Sequence, residues 1–418
     1  MTEPKPGNRA SIGVVFTILL IDMLGFGLVM PVLPQLIMDL GQMNVEQAAV
    51  LAGWLGASYA AMQFIFAPIL GSLSDRYGRR PILLGSLAGY GINYAIMAFA
   101  PSLWWLVLAR LVSGITGASW SAAYAYIADV TPPEKRAAAF GLTGMAFGFG
   151  FVVGPAAGGL LGSIDTRLPF LAAGALALVN VLVGLVVLKE SLPRELRRPF
   201  EWRRANAIGA LGALRRQSGA VPWLVGALGL WQLAHVVYPA VWAFIAIAAW
   251  GLNQAEIGMT LAVVGLSSAL VQGLGLRYIA PRLGERRAVI IGVVSFVMGA
   301  VCYGLGSSLH WIYFTILLGS FQGFIQPSIS AINSRAVDAA SQGELQGAAQ
   351  SVGSIAMIIG PPLYSGVLAQ FSGSAAVVHY PTMPILLAAL VALSALALFL
   401  IGLGRIKPVP EPALAAPS

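Results

Sequence analysis

Long apolar runs separated by short polar turns fill almost the whole chain. Twelve of them have helical length, at 12–37, 47–70, 81–100, 104–128, 138–162, 168–188, 221–248, 256–277, 288–307, 310–334, 345–370 and 381–404. Each reaches the ~20 mostly apolar residues a helix needs to cross a bilayer. Barrel strands would be about ten residues long with alternating polarity, whereas these runs are longer and rich in Leu, Ala and Gly. The pattern predicts an all-α polytopic membrane protein of twelve transmembrane helices in two six-helix halves, 1–188 and 221–404. A cytoplasmic linker at 189–220 joins the halves, and a Pro-rich, disordered cytoplasmic tail follows at 405–418.

The polar positions set the sidedness. With the N-terminus inside, 22 of the 24 Lys and Arg residues fall in inner segments, Arg167 alone lies outside and Arg110 lies within a span. Inner loops of membrane proteins carry an excess of Lys and Arg, so both termini are placed in the cytoplasm and the protein in the plasma membrane, as in a bacterial inner membrane. The first run contains Asp22, Pro31 and Pro34 and is longer than a signal-peptide core, so it reads as a retained span.

The two halves repeat at a fixed offset. Gly78 and Gly284 stand 206 residues apart, as do Arg76/Arg282, Arg80/Arg286, Gly117/Gly323, Gly141/Gly347 and the pairs Gly154-Pro155/Gly360-Pro361. Parallel six-span repeats occur in transporters, which place a substrate site between the halves near the bilayer midplane.

Composition narrows the chemistry. Charged residues make up 10% of the chain and hydrophobic ones 58%, against the roughly 25% charged that soluble domains carry. The high pI of about 9.8 reflects arginines in alternate loops, which excludes a nucleic-acid face. A single cysteine, Cys302, and three scattered histidines give no metal site. No phosphate-binding loop or catalytic pair of an intramembrane enzyme is present. The expected partners are a small-molecule substrate, protons and the lipid bilayer, with no cofactor and the chain as a monomer.

The densest charge lies in Gly71-Ser-Leu-Ser-Asp-Arg-Tyr-Gly-Arg-Arg-Pro81. Gly71 permits close helix approach where the second span ends, and Gly78 supplies a positive φ for a tight turn. Asp75 is placed to face a positive helix N-terminus, and Arg79 and Arg80 to reach other carboxylates, Asp129 first. With Arg76, and with Arg282 and Arg286 of the second copy, these residues form a candidate cytoplasmic gate; a loop that only sets topology is the alternative.

Gly-x-x-x-Asp-Arg-x-Gly-Arg-Arg-Pro resembles the loop signature of the major facilitator superfamily. Arg110-Leu-Val-Ser-Gly114 and Gly150-x-x-x-Gly154-Pro155-x-x-Gly158 resemble elements of its twelve-span drug:proton antiporters, the second being their antiporter motif. Asp22-x-x-Gly25-x-Gly27 through Pro34, and Leu283-Gly-Glu-Arg-Arg287, resemble the tetracycline-efflux branch in particular. That resemblance implies carboxylates in spans three and nine, where this chain has Asn93 and the apolar stretch around Phe296. It also implies that spans one and four line the cavity of the first half.

Asp22 and Arg110 are the charged side chains deepest in any span. A charge at the bilayer centre costs about 2.5–3.5 kcal/mol or more, so such a residue is functional by default. Counted at 1.5 Å per residue, their depths differ by about 5–10 Å, within reach of an Arg side chain. They are expected to approach each other as a proton-coupling pair, or as an ion pair that only fixes packing. Gln232, His235 and Trp242 in span seven share one helical face, and Pro239 frees a backbone carbonyl there. With Asn93, Trp120, Tyr124, Gln272, Gln322, Gln326 and Asn333 they are the candidate substrate cavity. Gly150, Gly154 and Gly158 form a small-residue ridge for close helix approach, which with Pro155 gives span five a bend or a tight contact with the other half.

The expected function is secondary active export of a small amphipathic organic compound or drug by proton antiport, with alternating access. Proton-coupled import, uncoupled facilitation of a metabolite or lipid, and a transporter-like receptor or sensor are the alternatives.

Overall fold

The computed structural model describes residues 9–117, 120–132, 136–200, 219–337, 342–373 and 376–405. Apart from short connections and the segment 188–200 these are helical, with no strand among them. Ten helices are long and apolar enough to cross a membrane: Val45–Tyr77, Arg79–Ala98, Leu103–Val130, Gly144–Ile164 (within the helix Arg136–Ile164), Leu168–Val187, Val221–Trp250, Gln254–Ile279, Glu285–Tyr303, Gln342–Ser372 and Met383–Gly404. They occupy the expected positions of spans two to nine, eleven and twelve. Spans one and ten are broken.

Span one is a bent pair, Phe16–Val29 and Leu33–Gly41, meeting at 47°. The prolines explain it: Pro31 lies in the intervening turn, and Pro34 falls in the first turn of the second helix, where its missing N–H costs nothing. Span ten consists of Leu309–Gly319, a 3-10 turn Ser320–Phe324 and Ile325–Arg335. Span seven also breaks, at Val236 between Val221–His235 and Val237–Trp250. Pro239 follows three residues later and leaves the His235 carbonyl without its helical N–H donor. The last turns of span eight, Val271–Ile279, wind as a π-helix.

The charged segment around residue 75 is not a loop. Helix Val45–Tyr77 runs seven residues past its expected end, so Gly71 lies inside it. Span three starts at Arg79, and Gly78 alone joins the two with φ +107°. Gly284, with φ +75°, likewise joins Ala280–Leu283 to span nine. Both repeat glycines therefore occupy conformations that L-residues avoid.

Two seams hold the six-helix sets together, span five against span eight and span two against span eleven. A Cβ on Gly53 would lie 2.8 Å from the Pro361 carbonyl oxygen, and one on Gly258 would collide with the Pro155 carbonyl. Pro155 and Pro361 are repeat equivalents, while the glycines that meet them, Gly258 and Gly53, stand 205 residues apart, one residue off the repeat. Gly159 meets Gln254, Ala255 and Gly258 in the same seam, and Gly148 only just reaches Ala269 at 3.9 Å. These close approaches lie toward the end of the bundle opposite the arginines.

Candidate functional site

Asp22 does not meet Arg110. Its Oδ1 accepts instead from Nδ2 of Asn180 in span six at 2.9 Å, and the same nitrogen donates to the Ile18 carbonyl at 2.9 Å. The reason is lateral as well as axial. Tyr94 of span three stands within electrostatic reach of Asp22, Tyr59 and Arg110 together, and its hydroxyl would lie 3.3 Å from a Cβ on Gly25. The guanidinium of Arg110 faces the phenols of Tyr59 and Tyr94 electrostatically. Gln63 Nε2 donates to the Tyr59 hydroxyl at 3.3 Å and to the Gly117 carbonyl at 3.1 Å. The spans of the first half thus hold a carboxylate bound to an amide and a guanidinium among phenols, with Tyr94 near both. Asn180 and Asn93 are buried, and each keeps an unpartnered Oδ1. Sequence reading missed Asn180, Tyr59, Gln63 and the position of Tyr94 near both charges. Asn180 had a signal: it is the one polar side chain in Leu168–Val187.

The glycine ridge of span five packs on span one, around Asp22. A Cβ on Gly150 would lie 2.5 Å from Met23 Cβ, one on Gly154 would lie 2.8 Å from Gly27 Cα, and one on Gly158 would strike the Leu28 carbonyl. Pro155 lies within a continuous helix, and its carbonyl takes the contact with the other six-helix set. The ridge and the inter-half contact therefore belong to different faces of one helix.

At the arginine end, Arg79 collects carboxylates. Its Nη1 donates to Asp75 Oδ1 at 2.5 Å and to Ser74 Oγ at 2.9 Å, and its Nε donates to Asp129 Oδ2 at 3.3 Å. Ser191 Oγ donates to the same Asp129 oxygen at 3.0 Å. Asp75 does not face a helix N-terminus. Glu190, just past span six, does: it accepts from the Arg79 N–H at 2.8 Å and the Arg80 N–H at 3.3 Å. A carboxylate there satisfies N–H groups that lack helical partners and meets the positive end of the helix dipole. Arg197 also lies 3.9 Å from Glu190, and the Arg198 N–H donates to the Asp75 carbonyl. Arg80 reaches the Leu185 carbonyl at 2.8 Å rather than a carboxylate. Arg76 stacks over Tyr77 at 5.0 Å.

The second copy of this segment is built differently. Arg282 donates to the Tyr278 carbonyl of its own chain segment at 2.6 Å, and Arg286 has no ion-pair partner among the described residues. The ion pair is Glu285–Arg335. These positions are the 206-residue equivalents of Arg79 and Asp129, with the charges exchanged.

The candidate cavity residues scatter. Trp242 is in the packed core of the second six-helix set: its Nε1 donates to Thr260 at 3.0 Å, and its ring meets Tyr238, Trp250 and Tyr303. The break at Val236 separates it from the face of His235, which is exposed and stacked beside Trp231 and Tyr238. Gln232 packs under Gly353 of span eleven. Gln272, Gln326 and Tyr124 are exposed, Gln322 and Asn333 carry unpartnered buried amide atoms, and Phe296 is buried against Trp231 and Tyr238. The side chain of Trp120 lies outside the described residues.

Two pseudo-equivalent helix sets, a charged centre inside one of them and a seam of glycines define a polytopic membrane transporter and not an enzyme. The chain belongs to the Major Facilitator Superfamily, whose family model matches residues 15–361 and 233–418. It is 41% identical over 363 residues to the class C tetracycline resistance protein of Escherichia coli, covering 87% of this chain and 90% of that protein. It is 38% identical to the class G tetracycline resistance protein of Vibrio anguillarum, over 87% of this chain and 93% of that one. In structure it resembles the human organic anion transporter MFSD10, with a TM-score of 0.70, 25% identity, and coverage of 94% of this chain and 100% of that one.

Proposed function

We propose that this chain exports a small amphipathic compound in exchange for protons, with Asp22 as the proton carrier. The observation that carries the reading is Asp22 itself, a carboxylate within a membrane span held by an amide rather than by a cation. Without a fixed counter-ion, no cation locks its charged form, which leaves the carboxyl free to take up and give up a proton. Arg110, two phenols away, senses the change through Tyr94 rather than locking it. No cofactor is required, since the proton is the coupling ion.

Residues 1–188 and 221–404 act as the two rocking halves, tethered by 189–220, with both termini in the cytoplasm and a single chain sufficient. The seams away from the arginines support a cavity open toward the cytoplasm. The Arg79 cluster, built within the first half and the segment after span six, is the gate element at the end that opens and closes. Tetracycline is the first compound to test, because relatives 41% and 38% identical to this chain are tetracycline resistance proteins. The amide of Asn93 and the phenyl ring of Phe296 favour a cargo that needs no carboxylate from spans three and nine.

Reconstituted protein under an imposed pH gradient, offered tetracycline and a panel of amphipathic drugs, tests this. Wild type accumulates a compound against its gradient, and Asp22→Asn loses that accumulation by about tenfold or more while still binding the compound. Undiminished gradient-driven accumulation by Asp22→Asn overturns the reading. Flux indifferent to the gradient marks an uncoupled facilitator instead.

A further inference from the structure

A small space reaches Asp22. It lies wholly inside the first six-helix set, between spans one, three, four and six, and is lined by Asp22, Ser86, Tyr90 and Tyr126 among leucines and Ala123. About 40 Å³ of it is open to the centres of water molecules. One water needs ~10–15 Å³ by that measure, and drug-sized ligands occupy about 300–1,000 Å³. The space has room for a few waters and none for a drug-sized cargo.

Its position relative to the gate is the informative part. Leu83, Tyr126 and Leu188 line the space. Each is within one helical turn, along the sequence, of a residue in the arginine-end network: Leu83 follows Arg79 by four residues, Tyr126 precedes Asp129 by three, and Leu188 precedes Glu190 by two. The network therefore lies about one helical turn beyond the lining, at the arginine end of the space. Ser86 and Tyr90 are four apart on one face of span three, and Asn93 with its unpartnered oxygen continues that face.

We infer that this space is a water-filled antechamber through which protons pass between Asp22 and the arginine end of the first half, separately from the cavity that carries substrate. This rests on Asp22 being the proton carrier. The groups around Asp22 are Asn180 from span six, Tyr90 and Tyr94 from span three and Tyr126 from span four, with Tyr59 of span two and Arg110 of span four beyond Tyr94. Among them Asp22 is the one carboxylate, so a proton delivered by the waters has one acid to settle on. The Ser86, Tyr90 and Tyr126 hydroxyls are groups that can both donate and accept to those waters. Opening the gate then exposes the proton path and the substrate path at the same moment, from two sides of span one.

The test needs no substrate. In full-length protein in lipid, the infrared carboxyl band lost in Asp22→Asn reports the protonation of Asp22. After a pH jump, filling the space with Ser86→Leu or Ala123→Leu is expected to slow the response of that band by about tenfold. An unchanged rate in both variants overturns the antechamber. A wild-type band that never titrates overturns the proton-carrier reading on which it rests. Should the filled variants fail to fold, Ser86→Cys in a Cys302→Ser background decides. Reaction with a small water-soluble methanethiosulfonate, faster than at a lipid-facing control cysteine, supports the antechamber, and reaction at the control's rate overturns it.

Discussion

Gly150 and Gly154 put the backbone of span five directly on span one beside Asp22, so glycines shape this centre as much as its charged groups do. A methyl at Gly154 would lie 2.8 Å from Gly27 Cα and 2.9 Å from the Leu24 carbonyl oxygen, and neither backbone atom can swing aside. Overpacking of this kind costs about 1–3 kcal/mol. Gly154→Ala is therefore expected to lower the melting temperature in detergent. Gly144→Ala, on the same helix with nothing within 4 Å of its Cβ, is expected to leave it unchanged. Equal melting of the two variants would refute the argument. Charges in apolar runs are legible in sequence, so Asp22 and Arg110 were found. Their partners were not, because depth along a helix says nothing about which neighbour lies beside it. Trp242 was misplaced for another reason: its shared face with His235 assumed a continuous helix through Val236.

At the scale of elements, the segment after span six ties down the start of span three. Span three opens with two arginines at its positive end, an unfavourable placement by the helix dipole, and Glu190 offsets it by accepting from both N–H groups. The close fit is enforced at Gly78, where any Cβ would run into the Glu190 carboxylate. Because Arg198 is also pinned to the Asp75 carbonyl, the free tether between the halves is shorter than the 189–220 segment read from composition. Capping losses run about 0.5–2 kcal/mol, so Glu190→Gln should speed amide exchange at the start of span three by about fivefold. The start of span nine, which Glu190 does not touch, should exchange as in wild type. Identical exchange at span three in mutant and wild type would show that Glu190 is a bystander. The apolar pattern gave these spans to within a turn or so at most ends. It missed Gly71's place inside a helix, because polar residues at a membrane surface continue a helix that hydropathy alone would stop.

Across the whole molecule, the repeat preserves geometry more faithfully than charge. Gly78 and Gly284 turn alike, and Gly53 on Pro361 matches Gly258 on Pro155 to within one residue of the repeat. Yet Arg79–Asp129 in one half becomes Glu285–Arg335 in the other, with acid and base exchanged. The exchange has an electrostatic consequence. Glu285 is the first residue of span nine, where a carboxylate is favoured by the helix dipole, so that half needs no counterpart of Glu190. Arg79 is held against the dipole by carboxylates on three different segments, and its side chain is 11% exposed, whereas Arg335 is 64% exposed. Exposed pairs contribute about 0.2–1 kcal/mol or nothing, while a partly buried cation stripped of its partner loses more. Double-mutant cycles on thermal unfolding, with Arg79→Gln and Asp129→Asn in one and Glu285→Gln and Arg335→Gln in the other, measure the difference. The coupling is expected to be larger in the first half and to resist added salt, and the second-half coupling to vanish in salt. Equal couplings, or a larger one at Glu285–Arg335, would mean that the two latches share the closing of this end evenly, and that the exchanged charges carry no division of labour.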